Sequence, residues 1–165
     1  MLVIGIDPGT ATTGYGLVRE READSALDCV AYGVIVTPAG QALPKRLQTI
    51  YRELRGIIDL YRPDTGAVEK LFFQKNVTTA MSVGQGRGVA MLALAEGGLE
   101  VGEYSPREVK LAVAGYGNAD KRQMQEMVRV LLELDSVPKP DDAADALAVA
   151  ICHLHSIKLT RLDWK

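Results

Sequence analysis

The sequence predicts an α/β protein, a five-stranded mixed sheet with helices on both faces. Three features point there. The first 36 residues hold three apolar, strand-forming segments joined by short turns. After them, helical stretches alternate with short strands. The last helix is so rich in alanine that it can lie very close to a sheet.

Taken in order, Leu2-Val3-Ile4-Gly5-Ile6-Asp7, the turn Pro8-Gly9-Thr10 and Thr13-Gly14-Tyr15-Gly16-Leu17-Val18 read as a β-hairpin with an acid where its first strand ends. Leu27–Val36 is a third strand, stopped by Thr37-Pro38-Ala39-Gly40, and completes an antiparallel meander. Leu47, Ile50, Tyr51, Leu54, Ile57, Ile58 and Tyr61 then recur at three- and four-residue steps, while Lys45, Arg46, Arg52, Glu53 and Arg55 fall mainly on the other side. That helix ends at Arg62-Pro63-Asp64, because a residue before proline is pushed out of the helical region. Gly66–Glu69 is a short strand that delivers a second carboxylate near its end, and Lys70–Asn76 is a loop. Val77 to about Ala95 reads as helix, with Met81, Val89, Met91, Leu92 and Leu94 as its apolar positions. Within it, Gly84-Gln85-Gly86-Arg87-Gly88 follows no strand directly and has the wrong spacing for a dinucleotide loop. Its glycines permit close approach of another helix or of a nucleic-acid backbone.

Glu100–Tyr104 is the fifth strand. Ser105-Pro106-Arg107-Glu108 opens the next helix with a cap, a proline at the first position and a glutamate three residues on; Gly115-Tyr116-Gly117-Asn118 stops it. Asp120 and Gln123, at capping-box spacing, start another helix through Met124, Met127, Val128, Leu131 and Leu132. An extended Val137-Pro138-Lys139-Pro140 linker leads to the last helix, from about Asp141 to Ser156. Residues 1–156 therefore read as one domain and 157–165 as a peripheral tail, without internal repeats.

A chain of 165 residues is long enough for one real core and too short for two ordinary domains. The net charge of −2 announces no bulk affinity for nucleic acid, although carboxylates gathered round divalent ions count as negative in that sum. Cys29 and Cys152 are far apart, with no metal-binding spacing, and read as reduced and buried thiols of a cytosolic protein. The first apolar run lacks a basic leader and is broken by Asp7, so no signal peptide is expected. No stretch approaches the roughly 18 to 20 apolar residues of a membrane span.

The chemistry lies in the acids. Asp7 alone has two readings, a turn acid capping its own loop or a metal ligand. Asp142 and Asp145, three apart, share one face of the first helical turn, where negative charge also suits the helix dipole; Asp141 fits that second role alone. Combined, Asp7, Glu69, Asp142 and Asp145 can hold two Mg²⁺ or Mn²⁺ ions, hard cations that prefer oxygen. Two such ions activate a water and stabilise the leaving oxygen of a phosphodiester. The element order β-β-β-α-β-α-β-α fits the ribonuclease H-like fold.

In Gly5-Ile6-Asp7-Pro8-Gly9-Thr10, Thr13-Gly14-Tyr15-Gly16, Val68-Glu69, Lys75-Asn76, Gly84-Gln85-Gly86-Arg87-Gly88-Val89, Val109-Lys110 and Asp142-Ala143-Ala144-Asp145-Ala146-Leu147-Ala148 the sequence resembles the bacterial RuvC Holliday junction resolvases. The likeness covers nearly the whole chain in one order. It implies a homodimeric, Mg²⁺-dependent endonuclease of recombination and repair that nicks two opposed strands of a four-way DNA junction symmetrically, beside a RuvA–RuvB branch-migration complex. Asp7, Glu69, Asp142 and Asp145 would be its metal-binding catalytic acids, although some members carry His at the place of Asp142. By the same resemblance Phe72 would wedge against unpaired bases. Its neighbour Phe73 would point the other way on an extended segment. Lys75, Arg87, Lys110 and Lys121 are candidates for phosphate contact, and Asn76 and Gln85 for phosphate or base contact. His153 and His155, two apart on the last helix, fall on different faces, which argues against a shared ligand role.

Three other classes compete. An ATPase of the actin and Hsp70 type also opens with a phosphate hairpin but needs two such domains, and the chain has room for one. A junction-binding module without catalysis would lack at least one carboxylate. An RNA-directed nuclease of the same fold fits poorly with the Phe72 loop and the Lys110 and Lys121 segment.

Overall fold

The computed structural model describes residues 1–70 and 77–162. Strands β1 (Leu2–Asp7), β2 (Thr12–Glu20) and β3 (Leu27–Val36) form the antiparallel meander. Strands β4 (Thr65–Glu69) and β5 (Val101–Tyr104) add to the other side of β1 in parallel, giving the order β3-β2-β1-β4-β5. This is the five-stranded mixed sheet that the alternation of elements predicts, in a ribonuclease H-like arrangement.

Side-chain parity divides the core into two layers. Leu2, Ile4 and Ile6 of β1, Leu17 of β2 and Val68 of β4 face α1 (Leu43–Tyr61) and α2 (Val77–Glu96). Val3, Val18 and Ala67 face α5 (Asp141–Leu162), which is flanked by α3 (Pro106–Ala114) and α4 (Lys121–Leu131). In α1 the buried residues Ile50, Leu54 and Ile58 recur every fourth position, and each contributes on the order of 1.5–3 kcal/mol through burial. The helix starts four residues before Leu47, with Pro44 in its first turn, and ends where Arg62 turns left-handed and its N–H donates to Ile58. Both capping boxes form: Ser105 with Glu108 on α3, and Asp120 with Gln123 on α4.

α5 is held against the sheet at backbone distance. A Cβ on Gly5 would lie 2.6 Å from the Ala150 nitrogen, and one on Gly16 would lie 2.8 Å from the Leu147 nitrogen. Small residues on both partners allow this, and α5 is buried almost all round as far as Leu154. The helix runs on to Leu162 rather than ending at Ser156, and Lys158 ties the extension to Glu20 on β2 at 2.7 Å.

α2 departs from expectation. Of the apolar positions read from the sequence, Leu94 is buried and Val89 and Met91 are partly buried, but Met81 and Leu92 are 61% and 52% exposed; the other buried residues of the helix are Gly86, Ala90 and Ala93. Its small residues let it sit close to the sheet, so Met81 and Leu92 are turned outward.

Candidate active site

Asp7 is the last residue of β1 and follows Val3 and Gly5 on the face toward α5. Parallel pairing sets Ile6 opposite Val68, so Glu69 ends β4 beside Asp7 on the same face. On the other side Asp7 is paired with Gly14. A Cβ there would lie 2.5 Å from the Asp142 carbonyl carbon, so the first turn of α5 rests on the space that glycine leaves. Asp142 and Asp145 arrive with it. The turn after Asp7 is fixed by hydroxyls: Thr13 donates to the Gly9 carbonyl at 2.6 Å and Thr37 to the Thr10 carbonyl at 2.5 Å.

The acids act on one another electrically. Burial, then Asp145, Glu69 and Asp142, push the Asp7 carboxyl up to about 7, against a smaller opposing pull from Lys121. Burial and Asp145 raise Glu69, and Lys110 offsets part of this. Burial also raises Asp145, opposed chiefly by Lys121. Among the described residues no three His, Cys, Asp or Glu side chains close round one point as they stand. The repulsion on Asp7 is nevertheless what a cation would relieve. The donors are all carboxylate oxygens, the set that hard divalent ions prefer, so the residues fit such an ion.

Two cations border the acids. Lys121, the first residue of α4, pairs with Asp141 at 3.0 Å and stands 4.0 Å from Asp145. Asp141 also accepts from Lys139 and Gln125, and these partners hold its carboxyl down to about 2. Asp141 is therefore an ion-paired brace for Lys121 in addition to a helix-terminus charge. Glu69, Asp145, Lys110 and Lys121 share the wall of a recess of about 220 Å³. A wider groove of about 490 Å³ runs past Asp142 between the hairpin turn and the start of α2.

The structure thus brings together Asp7, Glu69, Asp142 and Asp145, with Lys110 and Lys121 at their margin. Gln85 is exposed on α2. Phe72, Phe73, Lys75 and Asn76 lie outside the described residues. Arg87, a candidate for phosphate contact, is engaged within the chain: its Nε donates to the Glu69 carbonyl at 3.0 Å and its Nη2 pairs with Glu103. The Gly-rich segment is helical, and within the chain Gly86 closes on a turn rather than on another helix. This is the β1–β2 turn, where a Cβ would meet the Gly9 carbonyl carbon at 3.3 Å.

His153 is a buried structural residue. Tyr104 hydroxyl stands 2.7 Å from its Nδ1 and Thr65 hydroxyl 2.9 Å from its Nε2, while Thr65 donates to the Glu100 carbonyl. That last donation makes Thr65 the acceptor from Nε2–H and Tyr104 the donor to Nδ1. Burial lowers the His153 pKa, consistent with the neutral ring. Cys29 and Cys152 are free thiols, and burial raises both to about 11. No helix among the described residues is long and apolar enough to cross a membrane.

Acids at the ends of two neighbouring parallel strands, with a helix N-terminus laid over them in this strand order, define a nuclease of the ribonuclease H-like class. The chain belongs to the RuvC family: residues 3–153 match crossover junction endodeoxyribonuclease RuvC. It is 61% identical over 156 residues to the crossover junction endodeoxyribonuclease RuvC of Chloroflexus aggregans, covering 94% of each chain. The RuvC of Heliobacterium modesticaldum is 57% identical over 157 residues, covering 95% of this chain and 96% of its own. Among solved structures, Thermus thermophilus RuvC in complex with Holliday junction substrate superposes with a TM-score of 0.91 at 34% identity, covering 97% of this chain and 96% of that one.

Proposed function

We propose that the chain resolves four-way DNA junctions as an endonuclease, with Asp7, Glu69, Asp142 and Asp145 as its catalytic acids. The observation that carries this reading is Asp7 itself: burial first, and then the charges of Asp145, Glu69 and Asp142, lift its carboxyl to about 7. These carboxylates would hold Mg²⁺ or Mn²⁺, which when bound would supply an activated water and charge stabilisation at the leaving oxygen. Glu69 and Asp145 take the side of the recess that Lys110 and Lys121 border, and the two ammonium groups draw a phosphate to its mouth. The paired bonds of Asp141 keep Lys121 there. Phe72, Lys75, Asn76 and Gln85 remain candidates for holding the junction arms.

Paired nicks in opposed strands need two sites, and one chain carries one cluster. A second copy related by a twofold axis supplies the other. Val77, Met81, Gly88 and Leu92 fall within about 60° of one another around α2 at 100° per residue, and all four are exposed. This stripe suits contact with the second copy. The nuclease domain, read from the sequence as residues 1–156, is taken to include the rest of α5 as well, in a cytoplasmic setting; the RuvA–RuvB motor beside it is what the family resemblance implies.

The test is nicking of a synthetic four-way junction beside a linear duplex of the same arms, with Mg²⁺ and with EDTA. Symmetric, metal-dependent nicks confined to the junction are expected. Cleavage of both substrates alike, or in EDTA, overturns the reading.

A further inference from the structure

We infer that Arg87 is a positioning residue that sets Glu69 from behind the sheet. This rests on the proposed role of Glu69 as a catalytic acid. Arg87 belongs to α2, which packs on the sheet face opposite α5 and the acids. Its side chain is only 16% exposed, and two of its nitrogen donors are committed to the sheet. One donates to the main-chain carbonyl of Glu69; another holds Glu103, which pairs with Val68 on the neighbouring strand. The guanidinium therefore bridges the ends of β4 and β5 just where the chain leaves the sheet. Planar geometry suits that task, since a charge-assisted bond from a fixed fork restricts the carbonyl in direction as well as distance.

The same helix also holds the other strand end. Ser82 and Thr10 share a hydroxyl hydrogen bond of 2.5 Å, and Gly86 rests against Gly9. α2 thus grips the turn that follows Asp7 and, through Arg87, the carbonyl of Glu69. It fixes the separation of two acids without touching either carboxylate. Arg87 is a second-layer support for the cation site, a class of residue whose loss costs about 10- to 100-fold in metal affinity or activity.

The experiment compares the full-length wild type with Arg87→Gln, Arg87→Lys and Glu103→Gln in three measurements. These are the melting shift caused by Mn²⁺ without DNA, junction affinity in EDTA, and single-turnover nicking against Mg²⁺ concentration. Arg87→Gln should bind the junction within about twofold of wild type, need about 10- to 100-fold more Mg²⁺ for half-maximal nicking, and show a smaller Mn²⁺ shift. Arg87→Lys should recover part of each loss, and Glu103→Gln should move the same readouts by less. Weaker junction binding with an unchanged Mn²⁺ shift would make Arg87 a phosphate contact and overturn the inference. If Arg87→Gln does not fold, wild-type Mn²⁺ shifts in both other variants overturn it equally. A wild type that fails to nick junctions would sink the resolvase reading, while the Mn²⁺ shifts would still decide the role of Arg87.

Discussion

The two helices that flank the central strand, α5 and α2, are alike in composition and opposite in use. Both are rich in small residues, and neither shows a clean amphipathic stripe. For α5 the glycines that matter are on the sheet, at Gly5, Gly14 and Gly16, and the alanines are on the helix, so contact closes inside the chain. For α2 the sheet offers Gly66, beneath Leu94, and the other glycines are on the helix itself. Gly86 meets the hairpin turn, but Gly88 has nothing within 4 Å, and Val77, Met81 and Leu92 face outward. A small-residue helix is therefore closed off where it meets small residues of its own sheet, and left partly open where its larger side chains turn outward. One helix delivers acids to the site; the other braces the site and offers a surface.

The largest effect should come from the acid at the centre of the α5 contact. Asp7→Asn should slow junction nicking by at least about 1,000-fold, roughly 4 kcal/mol of barrier, while junction binding in EDTA stays near wild type. The same change should raise the melting temperature without metal, since it removes the charge that burial and three neighbours oppose. A nearly active Asp7→Asn protein would end the assignment of the site.

Next in size is the contrast between the two kinds of glycine. Gly14→Ala places a methyl against the Asp142 main chain, which cannot retreat as a flexible side chain could. It should cost about 3 kcal/mol or more in stability and about 100-fold in nicking, because the first turn of α5 must lift. Gly86→Ala meets the Gly9 main chain at 3.3 Å, a tight contact short of a clash, and should cost less than about 1 kcal/mol. Equal losses in urea melts of the two variants would show that the contacts are not different in kind.

Met81→Glu probes the open side of α2. Monomer stability should change by no more than about 0.5 kcal/mol, since the residue is 61% exposed. Sedimentation should nevertheless show dimer giving way to monomer, and paired nicks should become single ones. A variant that remains dimeric would move the interface away from this stripe.

A last effect is the pH dependence of the metal-free protein. The folded chain keeps the Asp7 proton up to about pH 7, whereas the unfolded chain releases it near 3.8. Between those values the folded state binds the more protons, so this group's contribution to stability falls as pH rises. Glu69 and Asp145 are shifted in the same direction. Melting temperatures in EDTA should decline from pH 5 to pH 8, and saturating Mn²⁺ should flatten or reverse the slope. A melting temperature that rises across this range in EDTA would mean that the acids do not repel one another as described.

Much of the architecture was legible from residues near one another in sequence. Strand alternation located β1 to β5, the capping boxes at Ser105 and Asp120 started α3 and α4, and the four acids stood out by where their elements began or ended. These signals are local, because a cap, a turn or a helical period involves groups a few residues apart. Tertiary structure alone decided that Gly14 faces Asp142, that Lys121 is shared by Asp141 and Asp145, that Met81 points outward, and that Arg87 turns to the Glu69 carbonyl. Each of these depends on strand register or on how closely a helix settles on the sheet. Side chains from distant segments must first be packed together before it is fixed which of them can touch.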